Sequence, residues 1–369
     1  MEDVFRFADA LGPEKIIHIC EPHVGLRAIV VVDNTAAGPA IGGTRMAPDV
    51  SAEECFRLAR AMTFKNAAAG LAHGGAKSVI FGDPSMQQAK RERLVRAFAT
   101  AIRSLVEYIP GPDMGTNETA MAWVKDETGR AVGLPRELGG IPLDEIGATG
   151  FGLAVAAEAA QGFSKVNLDG ASVIVQGFGA VGRHAARFLA DKGARLIAVS
   201  DTKGAVHDPS GLDIGRLEAL KAEGKSVVDL EGAKAVDAED IVGIACDIWI
   251  PAARPDVIRE SNVEALRARL VLQGANIPAT PGAEQRMHER GILSIPDFIA
   301  NAGGVIAAAV EYHGGTEKAA FDTIAEKISA NTRAVLTMAA ERRTLPREAA
   351  IELARTRVQR AMSVRRYQA

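Results

Sequence analysis

Short apolar runs alternate along this chain with longer stretches of helical spacing, and the two together outline an α/β protein. Residues 26–32, Leu-Arg-Ala-Ile-Val-Val-Val, predict a buried strand that ends in a turn at Asp33-Asn34. A Gly/Pro/Ala stretch over 36–43 follows, and Gly42-Gly43-Thr44-Arg45 reads as a glycine turn. Residues 51–65 predict a helix with Leu58, Ala61 and Met62 on one face. Ser51 and Glu54 there have the spacing of a capping box. Residues 78–81 read as a short strand stopped by Gly82-Asp83-Pro84, and 86–108 as a helix ending before Ile109-Pro110-Gly111-Pro112.

The rhythm changes near residue 145. An Ala-rich helix over 149–163 leads to Val173-Ile174-Val175, a glycine turn, and a helical run over 183–192. Strand-like runs recur at 196–199, 247–250, 270–272 and 293–295, with helical segments between them. Such alternation predicts a parallel, doubly wound sheet. Two amphipathic helices, 317–340 and 346–364, close the chain, with Pro346 at a favoured helix-start position.

At 369 residues the chain is long enough for two domains, and 47% hydrophobic content fits a full core. Net charge is -3, from 43 basic and 46 acidic residues without long single-sign runs, which points away from nucleic acid and anionic membranes. Cys20, Cys55 and Cys246 lack metal or disulfide spacing and favour a reducing compartment. The acidic start and the absence of a long apolar run lead us to expect a cytoplasmic protein with no membrane partner.

The glycine turn is Gly177-Phe178-Gly179-Ala180-Val181-Gly182. It has the strand before it and the helix after it that a dinucleotide site requires. Gly177 permits the tight turn, Gly179 lets backbone approach a pyrophosphate, and Gly182 lets helix and strand pack closely. Asp201 ends the next strand, where a carboxylate would accept from a ribose 2′-OH and repel a 2′-phosphate. NAD is therefore favoured over NADP, although Thr202-Lys203 softens that choice.

Lys65 and Gly74-Gly75-Ala76-Lys77 place two lysines among small and apolar residues. A lysine desolvated beside another cation loses its proton easily, which suits a general base. Asp113 sits in the Pro/Gly frame Gly111-Pro112-Asp113-Met114-Gly115, and Asn301-Ala302-Gly303-Gly304 opens a helix. His73, next to the glycine pair, reads as structural.

Together these segments, with Ala148-Thr149-Gly150, resemble the Glu/Leu/Phe/Val dehydrogenase family over nearly the whole chain. The resemblance implies an α/β subunit of two domains with an active-site cleft between them. One domain would bind substrate and build a homo-oligomer over 1–143, and the other would be a Rossmann-type NAD-binding domain over 144–334. The last helices, about 335–369, would pack back on the first domain. It implies oxidative deamination of an L-amino acid to a 2-oxo acid and ammonia, with NAD or NADP taking the hydride. Carried over by motif, Lys77 is the general base and Asp113 the proton shuttle. Lys65 pairs with the α-carboxylate and Gly43 contacts substrate. Thr149, Asn276 and Asn301 serve the nicotinamide end. A catalytically silent nucleotide-binding regulatory protein is the alternative of another class, and the presence of Lys65, Lys77 and Asp113 together counts against it.

For the substrate side chain, the glutamate branch carries a lysine where this chain has Ile41 and a serine where it has Ala308. Ile41, Val305 and Ala308 are expected to form an apolar pocket for Leu, Val, Ile or Phe, with Gly111 and Ala308 leaving room for bulk. Burying a second carboxylate there without a partner would cost several kcal/mol. Glutamate dehydrogenase is the alternative, since 173–204 and 270–312 look more like that branch.

Overall fold

The computed structural model describes residues 5–365. The chain divides into two compact units. The first takes in the chain through Leu143, then Val305–Ala320, then the residues from Ile351 onward; the second is Asp144–Gly304 with Phe321–Ala350.

The first unit runs β1 (Lys15–Glu21), β2 (Leu26–Asn34), β3 (Ala40–Ala47), α1 (Ala52–Ala68), β4 (Gly74–Phe81), α2 (Gln88–Ala101), β5 (Tyr108–Pro112) and α3 (Glu118–Thr128). The strands form one sheet in the order β1-β2-β4-β3-β5. β1 and β4 pair antiparallel with β2, whereas β4 and β5 pair parallel with β3. Successive side chains of a strand point to opposite faces. In β2, Ala28, Val30 and Val32 join a core with Leu94, Phe98 and Trp123 of α2 and α3. Ile29 and Val31 join Cys55 and Ala59 of α1 on the other face. A strand covered on both sides has no polar positions to alternate with, hence the unbroken apolar run.

Three features of this sheet differ from the sequence reading. Gly42 and Gly43 lie inside β3 and not in a turn. A side chain at Gly42 would place Cβ 1.7 Å from the Ala76 carbonyl, so the close approach of β3 to β4 requires glycine. Residues 102–108 do not continue the α2 helix, and Tyr108–Pro112 is a strand. Its prolines are tolerated because β5 is an edge strand. Ser51 caps α1 by accepting from the Glu54 amide at 3.1 Å, but the Glu54 carboxylate is turned to Arg45 rather than back to the cap.

The second unit holds α4 (Leu143–Ile146, from its second residue), α5 (Ala148–Ser164), β6 (Ser172–Gln176), α6 (Ala180–Ala190), β7 (Arg195–Asp201), β8 (Gly204–His207), α7 (Ile214–Ala222), β9 (Lys234–Val236), β10 (Ile248–Pro251), β11 (Leu270–Leu272), α8 (Pro281–Glu289), β12 (Leu293–Ile295) and α9 (Asp297–Ala300). Its sheet order is β12-β11-β10-β6-β7-β8-β9. The first five strands of that order are mutually parallel, and β8 and β9 add an antiparallel edge. β6 has β10 on one side and β7 on the other, so the strand order reverses there. In open α/β sheets ligands bind at such a switch point.

Three helices complete the chain: α10 (Gly303–Tyr312), α11 (Glu317–Arg342) and α12 (Pro346–Val364). The second unit is interrupted within the expected 144–334 span because Glu311 is fastened to the first. Its buried carboxylate accepts from the amides of Leu134 at 3.1 Å and Ile141 at 2.8 Å. The return to the first unit comes at Ile351 and not near 335. Arg347 keeps the start of α12 in the second unit by pairing with Glu284 and Asp297. Among the described residues, no helix is long and apolar enough to cross a membrane.

Candidate active site

Strand alternation puts Ile41, Gly43 and Arg45 of β3 on one face of the first sheet together with Lys77 of β4. It is the face that α1 covers, because Val79, two residues beyond Lys77, packs with Cys55 and Ala59. Asp113 follows β5 directly. Its loop is pinned to β3 by Thr116, whose hydroxyl donates to the Thr44 carbonyl at 2.8 Å and accepts from the Asp113 amide at 3.0 Å. Lys77 Nζ consequently meets Asp113 Oδ2. The lysine side chain is 5% exposed and the aspartate 18%. A Cβ on Gly43 would lie 2.8 Å from Asp113 Oδ2 and 3.0 Å from Lys77 Nζ, so glycine keeps the space beside the pair open.

Burial is the largest influence on Lys77, followed by the positive charges of Arg45 and Lys65; Cys55 and Glu54 oppose them. The net effect pulls the lysine down to about 7. The ammonium is therefore close to half-ionised near neutral pH, as a general base there should be. The motif containing Arg45 is plain in the sequence, but its function is not. Arg45 Nη2 lies 3.2 Å from Asp113 Oδ1, and Nη1 meets the Glu54 carboxylate. Glu54 has the spacing of a capping partner for Ser51, but its carboxylate goes to Arg45.

Lys65 is half-buried in the last turn of α1, on the Lys77 side of the sheet. Ile41 and Ala308 are buried at 3% and 5% exposure, and Val305, one turn before Ala308 on α10, is half-buried. A Cβ added at Gly111 would lie 3.0 Å from Val132 Cγ2. His73 is buried, with Nδ1 2.9 Å from the Pro39 carbonyl and Nε2 3.1 Å from His313.

In the second unit, the turn between β6 and α6 has separate uses for its glycines. Gly177 has φ +99, a left-handed conformation that disfavours a side chain. Gly182 would put Cβ 2.0 Å from the Gly177 carbonyl. Gly179 faces open space, and Ala180 and Val181 form the first turn of α6, whose N–H groups have no partner within the helix. Open backbone at a helix N-terminus fits a dinucleotide pyrophosphate.

Asp201 differs from the carboxylate expected to face a ribose. Oδ1 accepts from the Lys203 amide at 2.9 Å and Ser226 Oγ at 2.8 Å. Oδ2 accepts from Lys221 Nζ at 2.9 Å and the Val227 amide at 3.0 Å. Four donors occupy the acceptor sites a carboxylate has. Burial opposes ionisation, but these hydrogen bonds outweigh it and hold the acid down at about 2.

The loop after β11 is fixed from two sides. Asn301 Nδ2 donates to Asn276 Oδ1 at 3.0 Å. Asp297 Oδ2 accepts from the Ile277 amide at 2.9 Å, and Arg347 reaches Gln273 Oε1 at 2.7 Å. Thr149, in the first turn of α5, faces Gly304, where an added Cβ would lie 3.3 Å from its hydroxyl.

Residues 139–366 match the family model described as Glutamate/Leucine/Phenylalanine/Valine dehydrogenase, and residues 13–130 match the Glu/Leu/Phe/Val dehydrogenase dimerisation domain. The chain is 36% identical over 356 residues to a glutamate dehydrogenase of Aeropyrum pernix, covering 90% of this chain and 85% of that one. It is 40% identical over 300 residues to an NADP(+)-dependent glutamate dehydrogenase of Pyrobaculum calidifontis, covering 76% and 71%. Among solved structures it resembles the hetero-hexameric glutamate dehydrogenase of Thermus thermophilus in its Leu-bound form, with TM-score 0.84, 28% identity, and 97% of this chain and 91% of that chain covered. The chain belongs to the Glu/Leu/Phe/Val dehydrogenase family and is an oxidoreductase of the amino-acid dehydrogenase class.

Proposed function

We propose that this chain catalyses NAD(P)-dependent oxidative deamination of an L-amino acid to the 2-oxo acid and ammonia. The observation that carries this reading is buried Lys77 paired with half-buried Asp113, with Gly43 against them. Lys65 holds the substrate α-carboxylate. A nicotinamide held by the second unit would supply the acceptor for the hydride of Cα, the substrate nitrogen having first given up its extra proton to solvent as the neutral amine. The resulting iminium is cationic, and the Asp113 carboxylate stabilises that charge as it develops. Neutral Lys77 removes a proton from water as the oxygen attacks the iminium carbon. Protonated Lys77 passes that proton through Asp113, which it contacts, to the carbinolamine nitrogen; Lys77, neutral again, takes the hydroxyl proton as the C=O bond forms, the C–N bond breaks and ammonia leaves.

The Gly177–Gly182 turn and the α6 N-terminus would hold the pyrophosphate, with Thr149, Asn276 and Asn301 toward the nicotinamide. Lys221 is paired with Asp201, which weakens the carboxylate's repulsion of a 2′-phosphate. That favours use of NADP as well as NAD, in keeping with the NADP(+)-dependent relative.

For the side chain, the named relatives support glutamate ahead of the apolar amino acids expected from the pocket residues. One observation favours an apolar substrate as the second reading: Ile41 and Ala308 are buried and bring no charge to a γ-carboxylate. Self-association through the first unit is part of the proposal, supported by the dimerisation-domain match.

The test is reduced-cofactor formation with Glu, Leu, Val and Phe, each with NAD and NADP, for the natural chain and Lys77→Ala. Turnover should favour glutamate and vanish in the variant while cofactor binding persists. Leucine or valine as best substrate would transfer the assignment to the apolar reading, and near-normal turnover by Lys77→Ala would remove Lys77 as base.

A further inference from the structure

Asp113 has two carboxylate oxygens, and they face different partners. Oδ2 meets Lys77 Nζ. Oδ1 accepts from the Met114 amide at 2.6 Å and faces Arg45, with Nη2 at 3.2 Å and Nε at 3.4 Å. The guanidinium is turned by its third nitrogen, Nη1, which meets the Glu54 carboxylate. Arg45 and Asp113 are 20% and 18% exposed, so the contact is mostly shielded from solvent. Four side chains from β3, α1, β4 and the loop after β5 thus form one continuous chain of charge: Glu54, Arg45, Asp113, Lys77.

We propose that Arg45, oriented by Glu54, is a positioning residue for proton transfer: it fixes one oxygen of Asp113 so that the other is presented to Lys77. A guanidinium suits this, because its planar fork can hold two carboxylates at once in defined directions. The inference rests on the reading of Lys77 as general base. It adds that the base is set by a neighbour that does not touch substrate.

The arrangement has an electrostatic consequence that a merely structural arginine would lack. The charged or titratable groups around Lys77 are Arg45 from β3, Asp113 after β5, and Glu54, Cys55 and Lys65 from α1; its partner on β2 is Val31. Removing the Arg45 charge takes a cation away and makes the lysine hold its proton to higher pH. Removing the Glu54 charge leaves Arg45 less neutralised and acts in the opposite direction. Opposite shifts from two residues in mutual contact are the signature of the relay.

The experiment is the pH dependence of kcat/KM for the full chain and for Arg45→Met, Arg45→Lys and Glu54→Gln, with Lys77→Gln as control. In Arg45→Met, kcat should fall about 10- to 100-fold, less than the roughly 10²–10⁴-fold of losing general acid–base catalysis outright because the base itself is kept, while KM for the amino acid changes much less. Its acidic limb should move up by about half a pH unit or more, and that of Glu54→Gln should move down. Arg45→Lys should keep the limb near its natural position and recover part of kcat. If Arg45→Met does not fold, Glu54→Gln decides, since glutamine still accepts from Arg45. Limbs that stay in place while Lys77→Gln is inactive would overturn the relay and leave the base intact. Turnover retained by Lys77→Gln would remove the base and the relay together.

Discussion

Gly43 faces Lys77 so closely that a Cβ on residue 43 would stand 3.0 Å from Nζ, tighter than ordinary van der Waals contact. The same atom would be 2.9 Å from the Asp113 Cβ, which sits on a pinned loop and cannot swing away freely. Gly43→Ala should therefore displace the Lys77–Asp113 pair, and misplacement of that order costs about 100-fold in turnover. Cofactor affinity should be unchanged, because the dinucleotide turn belongs to the other unit. Steady-state kinetics together with a cofactor titration would separate the two. Turnover within a few-fold of the natural chain would show that the pair tolerates a methyl group.

Lys77 also fixes the direction of the pH response. Its ammonium is lowered from 10.5 to about 7, chiefly by burial and next by Arg45. The neutral amine is the active form of a base, so kcat/KM should rise with pH through about 7 and level off above it. A profile still rising at pH 10 would place the lysine near its ordinary value. Lys77→Arg, which stays charged throughout, should lose the limb along with the activity.

Asp201 makes a stability prediction of the opposite sign. Its carboxyl falls from 3.8 to about 2 through bonds from Lys221, Lys203, Val227 and Ser226, against burial. A depressed acid stabilises the fold above its unfolded value, and that stability is lost as pH falls through the folded value. The difference is worth about 2 kcal/mol, to be lost between about pH 4 and 2. Asp201→Asn should thus be less stable than the natural chain at pH 7, with a gap that narrows on acidification. Thermal melts at pH 7 and pH 3 would show it. A gap that does not change with pH would mean that the carboxylate charge contributes nothing.

Much of this molecule is legible in its sequence where one local signal decides the outcome. The strands at 270–272 and 293–295 fall where the apolar runs place them, and the Ser51 cap is readable from its spacing. The glycine turn between β6 and α6 is equally plain, since Gly177 and Gly182 each answer a backbone demand of their own. What escaped depends on partners far along the chain. β3 and β5 are written in glycine and proline, residues that punctuate strands elsewhere, and they form here because β4 and an edge position accommodate them. Glu54 has the spacing for a local cap but is claimed by Arg45. Asp201 has the position of a ribose acceptor, yet Lys221 and Ser226, 20 and 25 residues later, occupy it. In each case the deciding partner lies outside the three or four residues over which a cap or a strand end is read.

Arg347 is the clearest case of a long-range partner with a functional consequence. It enters from the start of α12 and meets Glu284 Oε2 at 2.6 Å, Asp297 Oδ1 at 2.9 Å and Gln273 Oε1 at 2.7 Å. Glu284 and Asp297 are buried, at 7% and 8% side-chain exposure, so removing the arginine would strand two carboxylates. Breaking a buried pair in this way costs about 3–5 kcal/mol. The effect should reach cofactor binding as well. Gln273 begins the loop that carries Asn276, and Asp297 holds the next residue of that loop through the Ile277 amide. Arg347→Met should lower the melting temperature and raise KM for NAD(P), while KM for the amino acid changes little. Arg347→Lys, with one point charge in place of the fork, should recover only part of both losses. A variant that melts early but binds cofactor normally would confine Arg347 to the fold. One that loses cofactor affinity at a temperature well below its melt would show that the ion cluster holds Asn276 in place.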